Sequence, residues 1–391
     1  MRPATKSDGS EYYEYILLYT DDALVISENA ENILRRELGR YFQLKEESIG
    51  PPKLYLGGHV RKVTLENGVQ AWAFSSSQYV QAAVKNVESY LEKREGRAWS
   101  LPSKAETPLK TTYRPELDVS MELNPTDASY YQSLIGVLRW IVELGRVDIC
   151  LEVSIMSSHI ALPRMGHMEA LFQIFAYLKK FHNAELVYDP SDPCIDELEF
   201  QRRDWTTSEF GHVDGKEELP GNAPKPRGIG FWIRAKVDAS HAADTVTRRS
   251  RSGFFVYLNC ALIHWWSKKQ TSVESSSFGS EFIAMKQCCE YIRGLRYKLR
   301  MMGIPVTGPA YVYGDNHSVL ANTTIPDSTL KKKSQSIAYH LVPEGAARDE
   351  WRTAYVNTHE NEADLLTKVL PNGAKRKGFV MQLLHHIFRT G

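Results

Sequence analysis

The order of strand-like and helix-like segments after Gly228 constrains the fold of this chain more than any other feature. Apolar runs suited to strands occur at residues 229–237, 254–258 and 262–266. A long amphipathic helix is predicted over residues 277–302, followed by a strand at 311–313, a helix at 334–350, a strand at 353–356 and a last helix opened by residues 362–368. This order predicts an α/β fold in which helices flank a mixed sheet.

Four acidic residues lie at the ends of these predicted elements. Asp238 follows the first strand, Glu281 lies in the first turns of the long helix, Asp315 follows the 311–313 strand, and Asp364 opens the last helix. Several carboxylates in one cleft repel one another unless divalent cations neutralise them. Taken singly, each acid is more often a solvated surface residue. The four together predict a site for Mg²⁺, with Mn²⁺ as the alternative, and for two-ion hydrolysis of a phosphodiester.

The positive charge of the chain is concentrated in the same half. Residues 1–225 hold 25 Lys+Arg against 34 Asp+Glu, and residues 226–391 hold 23 against 13. Such a local excess is typical of a surface that binds phosphates, because neutralising a polyanion releases its counterions. A basic domain with no such partner is the alternative. The candidate nucleic-acid contacts are Arg248, Arg249, Arg251, Lys268, Lys269, Asn316, Lys331 and Lys332.

Length and composition exclude several other classes. A chain of 391 residues is long enough for two or three compact units. No apolar run approaches the roughly 20 residues that span a bilayer, so we expect no membrane partner. Five cysteines without a C-x-x-C spacing indicate neither a disulfide framework nor a zinc ribbon and favour a reducing, intracellular setting. No motif predicts a small-molecule cofactor.

Several blocks in the second half resemble the ribonuclease H domain of copia-type (Pseudoviridae) LTR retrotransposons. They occur in the family's order: VDASHAAD and RRSRSGF at 237–254, SKKQ at 267–270, SS and SEF at 275–282, GDN at 314–316, IAYH at 337–340 and EADLLTK at 362–368. The resemblance implies a ribonuclease H-like fold. It also implies that Asp238, Glu281, Asp315 and Asp364 bind the metal ions that hydrolyse the RNA strand of an RNA–DNA hybrid.

The first half extends this resemblance to a reverse transcriptase. Residues 15–26, YILLYTDDALVI, form an apolar strand, an acidic turn and a second apolar strand, which resembles the Y-x-D-D hairpin of a polymerase palm. Two carboxylates buried between such strands are costly without a cation. We therefore predict that Asp21 and Asp22 are buried metal ligands, with Tyr19 beside them.

The resemblance also divides the chain. Segments at 55–58, 77–80, 107–109 and 130–149 are similar to the later palm, thumb and connection of the family. We predict a truncated reverse-transcriptase palm and thumb at 1–125, a helical connection at 126–190, a linker at 191–227 and a ribonuclease H-like domain at 228–391. Apolar stripes within 134–141 and 171–178 predict the connection helices.

Departures from the family keep alternatives open. Only 14 residues precede Tyr15, and the family's first catalytic aspartate lies upstream of that hairpin, so we do not expect this chain alone to polymerise DNA. Thr20 stands where valine is commoner, and Phe278-Gly279 replaces the usual Thr-Glu. One alternative is a catalytically inactive transposon relic with residual nucleic-acid binding. Another is the C-terminal part of an intact reverse transcriptase that needs its upstream half.

The resemblance further implies partners and a setting. An RNA–DNA hybrid is the expected substrate, and upstream Pol or Gag-derived segments are the expected protein partners. The expected location is the cytoplasm, in a virus-like particle with access to the nucleus. His359 lies in a polar turn shortly before Asp364, where a mobile histidine would help product leave, although a surface histidine is the commoner reading.

Overall fold

The structure of the chain is a computed structural model. It describes residues 1–96, 98–102, 104–208, 219–326 and 336–388, without the side chains of residues 336–339. Among these residues, no helix combines the length and the hydropathy that crossing a membrane requires.

The N-terminal segment forms a three-stranded antiparallel sheet, in the order β1 (Arg2–Thr5), β2 (Glu11–Tyr19) and β3 (Asp22–Ile26). Tyr19 pairs with Asp22, and Thr20 at the turn between them has φ 51°. The predicted strand-turn-strand is therefore confirmed. A short helical run follows, composed of α1 (Ala30–Asn32), a π-helical turn (Ile33–Glu37) and a 3₁₀ turn (Leu38–Arg40).

A second antiparallel sheet joins distant parts of the chain. Its strands are β4 (Leu54–Tyr55), β5 (Gly58–Thr64), β6 (Gln70–Ser75) and β7 (Leu186–Tyr188), in that order. The helices beside it are α2 (Ser77–Glu95), α3 (Pro125–Glu143), α4 (Cys150–Ser157) and α5 (Met165–Lys180). The connection helices predicted from the apolar stripes are confirmed, because those stripes face the buried core.

The C-terminal half is built on a five-stranded mixed sheet. Its strands are β8 (Ile233–Ser240), β9 (Arg251–Leu258), β10 (Ala261–Lys269), β11 (Ala310–Gly314) and β12 (Trp351–Tyr355). The strand order is β10-β9-β8-β11-β12, antiparallel from β10 to β8 and parallel from β8 to β12. The helices are α6 (Ser277–Met301), α7 (His317–Thr324), α8 (Ser336–Ala347) and α9 (Ala374–Leu383). The predicted ribonuclease H-like mixed sheet flanked by helices is confirmed.

Two local predictions for this half are wrong. Helix α7 was not expected; it begins after Asn316, whose Oδ1 accepts hydrogen bonds from the backbone N–H groups of Ser318 and Val319. The residues after Asn361 form a separate 3₁₀ turn (Glu362–Leu366) and not the start of the last helix. A proline and a glycine lie between this turn and α9, and both residue types disfavour a continuous helix.

One core unites the helical connection with the C-terminal half. Side chains of α2 to α5 pack in the same buried cluster as side chains of β9, β10, the 3₁₀ turn and α9. A second cluster lies between the five-stranded sheet and α6. The connection thus packs directly on the C-terminal sheet. The four predicted domain ranges stay a prediction.

Candidate active site

Three of the four predicted acids meet at one edge of the C-terminal sheet. Asp238 belongs to β8, Glu281 lies in the second turn of α6, and Asp315 directly follows β11. One ligand oxygen from each lies within 4.8 Å of the other two. This is the only grouping of three or more potential ligands among the described residues that is compact enough for a metal ion. The parallel pairing of β8 with β11 brings the three together, because it places the carboxyl ends of these strands side by side.

Asp364 lies next to this trio and reaches it through a lysine. The Lys368 ammonium donates to Asp364 Oδ1 at 2.5 Å and to Asp238 Oδ1 at 3.3 Å. Lys375 pairs with the other oxygen of Asp364. Asp364 is therefore a buried carboxylate held by two cations, adjacent to the trio but outside it.

A glycine in β9 allows the turn that carries Asp364 to approach the sheet. Gly253 pairs with Asp238 in the β8–β9 ladder. A Cβ at Gly253 would lie 2.5 Å from the Leu366 Cβ and 2.8 Å from the Thr367 Cγ2. The same approach lets the Thr367 hydroxyl donate to Asp238 Oδ2. Since both contacts depend on the missing side chain, Gly253 sets the distance between the trio and Asp364.

A buried polar network fixes the start of α6. The Gln270 amide donates to the Ser280 carbonyl at 2.8 Å and to Ser252 Oγ at 2.9 Å. Ser280 Oγ lies 2.8 Å from Ser250 Oγ and 2.9 Å from His241 Nδ1. These bonds tie the helix turn that carries Glu281 to β9 and to the residues that follow β8 and β10. Glu281 is therefore preorganised by its neighbours in the helix.

The electrostatics of the trio are those of crowded carboxylates. Burial, followed by the charges of Asp238 and Asp315, raises the pKa of Glu281 to about 10. Burial also raises the pKa of Asp238 to about 6, against the opposing effect of Lys368. Burial alone would lower the pKa of Lys368, but Asp238 and Asp364 outweigh it and raise that pKa. A cation among the three oxygens would remove much of this repulsion.

The donor set fits a hard divalent cation. Carboxylate oxygens are the ligands that Mg²⁺ and Mn²⁺ prefer, and no thiol or imidazole belongs to the trio. Asp238, Glu281 and Asp315 could therefore hold such an ion. Metal binding by Asp364 would require its oxygens to leave Lys368 and Lys375. Its role as a ligand stays a prediction.

The two aspartates of the N-terminal hairpin are placed differently. Asp21 and Asp22 are both exposed, so the expectation that they are buried between apolar strands is wrong. Among the described residues, Asp22 Oδ2 accepts only a 3.3 Å hydrogen bond, from the Leu56 N–H. Tyr19 is 51% exposed and stacks on Trp140 at 6.4 Å between ring centroids. Metal binding by this pair stays a prediction.

The predicted phosphate contacts divide into free and engaged side chains. Arg248, Arg249 and Lys268 are exposed. Lys269 pairs with Asp244 at 2.6 Å. Arg251 is 7% exposed and donates to Ser154 Oγ at 2.7 Å, so its charge faces the connection helices and not the surface.

The other predicted residues have simple placements. Asn316 caps α7 with its side-chain oxygen and lies beside Asp315. His359 is exposed in the turn before Asp364, as a mobile surface histidine would be. Lys331 and Lys332 lie outside the described residues.

Several residues around the acids were not singled out from the sequence. Lys368 follows Asp364 by four positions, a spacing that favours an ion pair, and this signal could have identified it. Thr367, Lys375 and Gln270 offer no comparable signal, since their partners are distant in the chain.

Comparisons with known proteins bear on the whole chain. No protein-family model matches it. The Pol polyprotein of transposon TNT 1-94 from Nicotiana tabacum is 23% identical over 366 residues, which are 91% of this chain and 23% of that protein. The Pol polyprotein of transposon RE2 from Arabidopsis thaliana is 24% identical over 91% of this chain and 21% of its own length. The chain thus spans between a fifth and a quarter of these relatives.

The chain is less similar to solved structures than to these sequence relatives. RNase H1 isolated from compost covers 35% of this chain and 92% of its own, at 14% identity and a TM-score of 0.28. The same enzyme in complex with an RNA/DNA hybrid covers 35% and 96%, at 13% identity and a TM-score of 0.29. The sequence relatives carry more weight: over 91% of its length, this chain is similar to retrovirus-related Pol polyproteins of copia-type transposons, which confirms the resemblance expected from its motifs.

Proposed function

We propose that the C-terminal half is a Mg²⁺-dependent ribonuclease H that hydrolyses the RNA strand of RNA–DNA hybrids. The observation that carries this proposal is the convergence of Asp238, Glu281 and Asp315, whose ligand oxygens lie within 4.8 Å of one another. The similarity to Pol polyproteins supports a nucleic-acid substrate. Divalent ions held by these three carboxylates would supply the activation of a water and the stabilisation of the leaving oxygen in an in-line phosphoryl displacement.

The residues of the C-terminal half would have different roles in this reaction. The trio would hold the ions, and α6, β8 and β11 keep its three carboxylates in place. Lys368 orients Asp238 and Asp364 toward each other. The exposed cations Arg248, Arg249 and Lys268 would bind backbone phosphates without regard to base sequence. Selection of RNA over DNA would then depend on helix shape and on the 2′-hydroxyl groups.

The decisive experiment measures cleavage of an end-labelled RNA–DNA hybrid in Mg²⁺. We expect the chain to cleave the RNA strand and Asp315→Asn to lower the single-turnover rate by about 10³-fold, which corresponds to about 4 kcal/mol of activation free energy. Asp204→Asn is the matched control, because Asp204 is exposed and, among the described residues, bonds only within its own loop. Equal rates for the chain and Asp315→Asn would refute the proposed site.

A further inference from the structure

A groove lies between the connection and the C-terminal sheet, beside the acidic trio. Its volume is about 310 Å³. One wall is formed by the segment around Arg114 and by the end of α4 with His159, and the other by the loop between β8 and β9. We call it the basic groove and define it by Arg114, His159, Arg249, Arg251, Lys269 and Lys368.

Basic side chains outnumber acidic side chains in the lining of the basic groove. Five of the defining residues are arginine or lysine, against two acids in the lining, Glu116 and Asp244. His159 adds no positive charge at neutral pH, because burial, with smaller effects of His167 and Lys269, lowers its pKa to about 4. A net excess of positive charge in a concave site attracts an anion.

Two of these cations are free to bind a ligand. Lys269 is paired with Asp244, Lys368 is held by Asp238 and Asp364, and Arg251 is buried against Ser154. Arg114 and Arg249 are exposed, and among the described residues neither pairs with an acidic side chain. Arg114 donates only to the carbonyl groups of Thr111 and Tyr113 in its own loop.

The walls of the groove are fixed to each other. The Thr245 hydroxyl donates to Glu116 at 2.9 Å, which ties the β8–β9 loop to the segment that carries Arg114. Ser154 Oγ donates to the Ser267 carbonyl at 2.7 Å, which ties α4 to β10. His167 Nε2 lies 3.0 Å from the Pro115 carbonyl. A groove held in this way is largely preformed, so a ligand would lose little affinity to ordering it.

The groove adjoins the acids directly. Thr367 and Lys368 line it and also bond to Asp238. The groove that Arg114 and Arg249 line is therefore contiguous with the side chains that hold Asp238.

We propose that the basic groove binds a backbone phosphate of the hybrid that flanks the cleaved one, held between Arg114 and Arg249. This inference rests on the proposed function, because the trio defines which phosphate is cleaved. It adds the connection, through Arg114, to the substrate-binding surface. The shared chemistry is a phosphodiester, which either strand of the hybrid could supply.

The first test measures hybrid binding against salt concentration by fluorescence anisotropy, with Asp315→Asn as the background so that the substrate is not consumed. Each phosphate contact contributes about 0.9 to the slope of log K against log salt. We expect Arg114→Ala/Arg249→Ala, which removes the contacts to one phosphate, to lower the slope by about 0.9 and to weaken binding about eightfold at 0.1 M salt. Arg114→Lys/Arg249→Lys should restore the slope, since it keeps the charge.

The matched control is Lys85→Ala/Lys93→Ala, which removes two exposed charges from α2, outside the groove. It should leave the slope unchanged. An unchanged slope in the arginine variant, or an equal drop in the control, would overturn the proposal.

The second test locates the phosphate. Hybrids that carry one neutral methylphosphonate linkage at each position in turn, first in the RNA strand and then in the DNA strand, are compared for binding. We expect one position near the cleavage site to weaken binding to the protein with intact arginines and to have no effect on Arg114→Ala/Arg249→Ala. If every position weakens both proteins equally, the groove does not hold a phosphate.

These outcomes separate the two proposals. A protein that binds hybrid with the expected arginine dependence but never cleaves RNA refutes the proposed function alone. A protein that cleaves RNA with no arginine dependence of binding refutes the groove alone.

Discussion

The Y-x-D-D hairpin and the acidic trio carry carboxylates of the same chemical type in very different surroundings. Asp238 is fully buried, whereas Asp21 and Asp22 are exposed at the turn of the hairpin. The three acids of the trio come from β8, from α6 and from the residue after β11, all in the C-terminal half. The hairpin supplies both of its acids from one turn. A motif thus specifies which residues are present, but the packing around them decides whether they form a site.

The way in which each region is held explains this difference. Near the base of the hairpin, Tyr13 is buried against Gly303, and the Tyr15 hydroxyl donates to the Met302 carbonyl at 2.7 Å. Near its tip, Tyr19 stacks on Trp140, and Leu18 is 72% exposed. The trio lies between a sheet and a helix whose positions are fixed by the second core cluster. Burial is the largest cause of the raised pKa values of Asp238 and Glu281.

The largest expected effect separates the two regions by activity. Glu281→Gln should lower the Mg²⁺-dependent cleavage of hybrid by about 10³-fold, while Asp22→Asn should change it by less than about twofold, because only the first removes a ligand of the trio. Single-turnover rates on an end-labelled hybrid measure both. A comparable loss in Asp22→Asn would show that the hairpin contributes to the hydrolytic site after all.

A buried carboxyl outside the trio tests whether burial alone creates a metal site. Burial raises the pKa of Glu152 from 4.5 to about 7, so the folded chain holds this proton between those pH values and loses stability as the pH rises through them. Above pH 7 the loss is complete and amounts to roughly 3 kcal/mol. Glu152→Gln should therefore raise the free energy of unfolding at pH 8 but not at pH 4.

Urea unfolding at the two pH values measures this effect. Mg²⁺ should leave the difference between Glu152→Gln and the unchanged chain as it is, since Glu152 belongs to no compact group of three or more potential ligands among the described residues. A difference that vanishes in Mg²⁺ would mean that a single buried acid is enough to bind the ion.

The next effect is the response of stability to Mg²⁺. At an ion concentration 100 times its dissociation constant, binding to the folded state should add about 2.7 kcal/mol to the free energy of unfolding. Asp21→Asn/Asp22→Asn should keep this gain and Asp315→Asn should lose most of it. Thermal unfolding in Mg²⁺ and in EDTA gives the comparison. A gain that survives in Asp315→Asn places the bound ion elsewhere.

The smallest effect concerns the surface of the hairpin. Leu18→Ser should change the free energy of unfolding by less than about 0.5 kcal/mol, because the side chain is mostly in water. It should reduce self-association, since adjacent exposed apolar side chains promote it. Urea unfolding and light scattering measure the two quantities. A large loss of stability would show that Leu18 packs against another part of the folded chain.

Some features of the C-terminal half could be predicted from the sequence because they are local. The period of apolar residues identified α6 to within one residue at its end, and the hairpin at Asn259 followed from its strands. Helix α7 was missed because it has only eight residues, and its buried apolar residues Val319 and Leu320 are adjacent and show no helical period. The cap at Asn316 was the available signal.

The candidate site could likewise be predicted only in part. The order of strands and helices was enough to expect Asp238, Glu281 and Asp315 at one edge of a sheet. The Lys375 contact to Asp364 and the burial of Arg251 against Ser154 join residues 11 and 97 positions apart, respectively. No periodicity in the chain reports contacts of that kind.

The sequence by itself determined the strands and the long helix α6 of the C-terminal half, the acids near their ends and the resemblance to copia-type Pol polyproteins, because each is carried by residues close together in the chain. Only the tertiary structure decided that the trio is compact, that Asp364 is held by lysines, that Asp21 and Asp22 are exposed, and that Arg114 faces the β8–β9 loop. Those facts depend on the distances between separate elements, and such distances are set by side-chain packing across the whole fold.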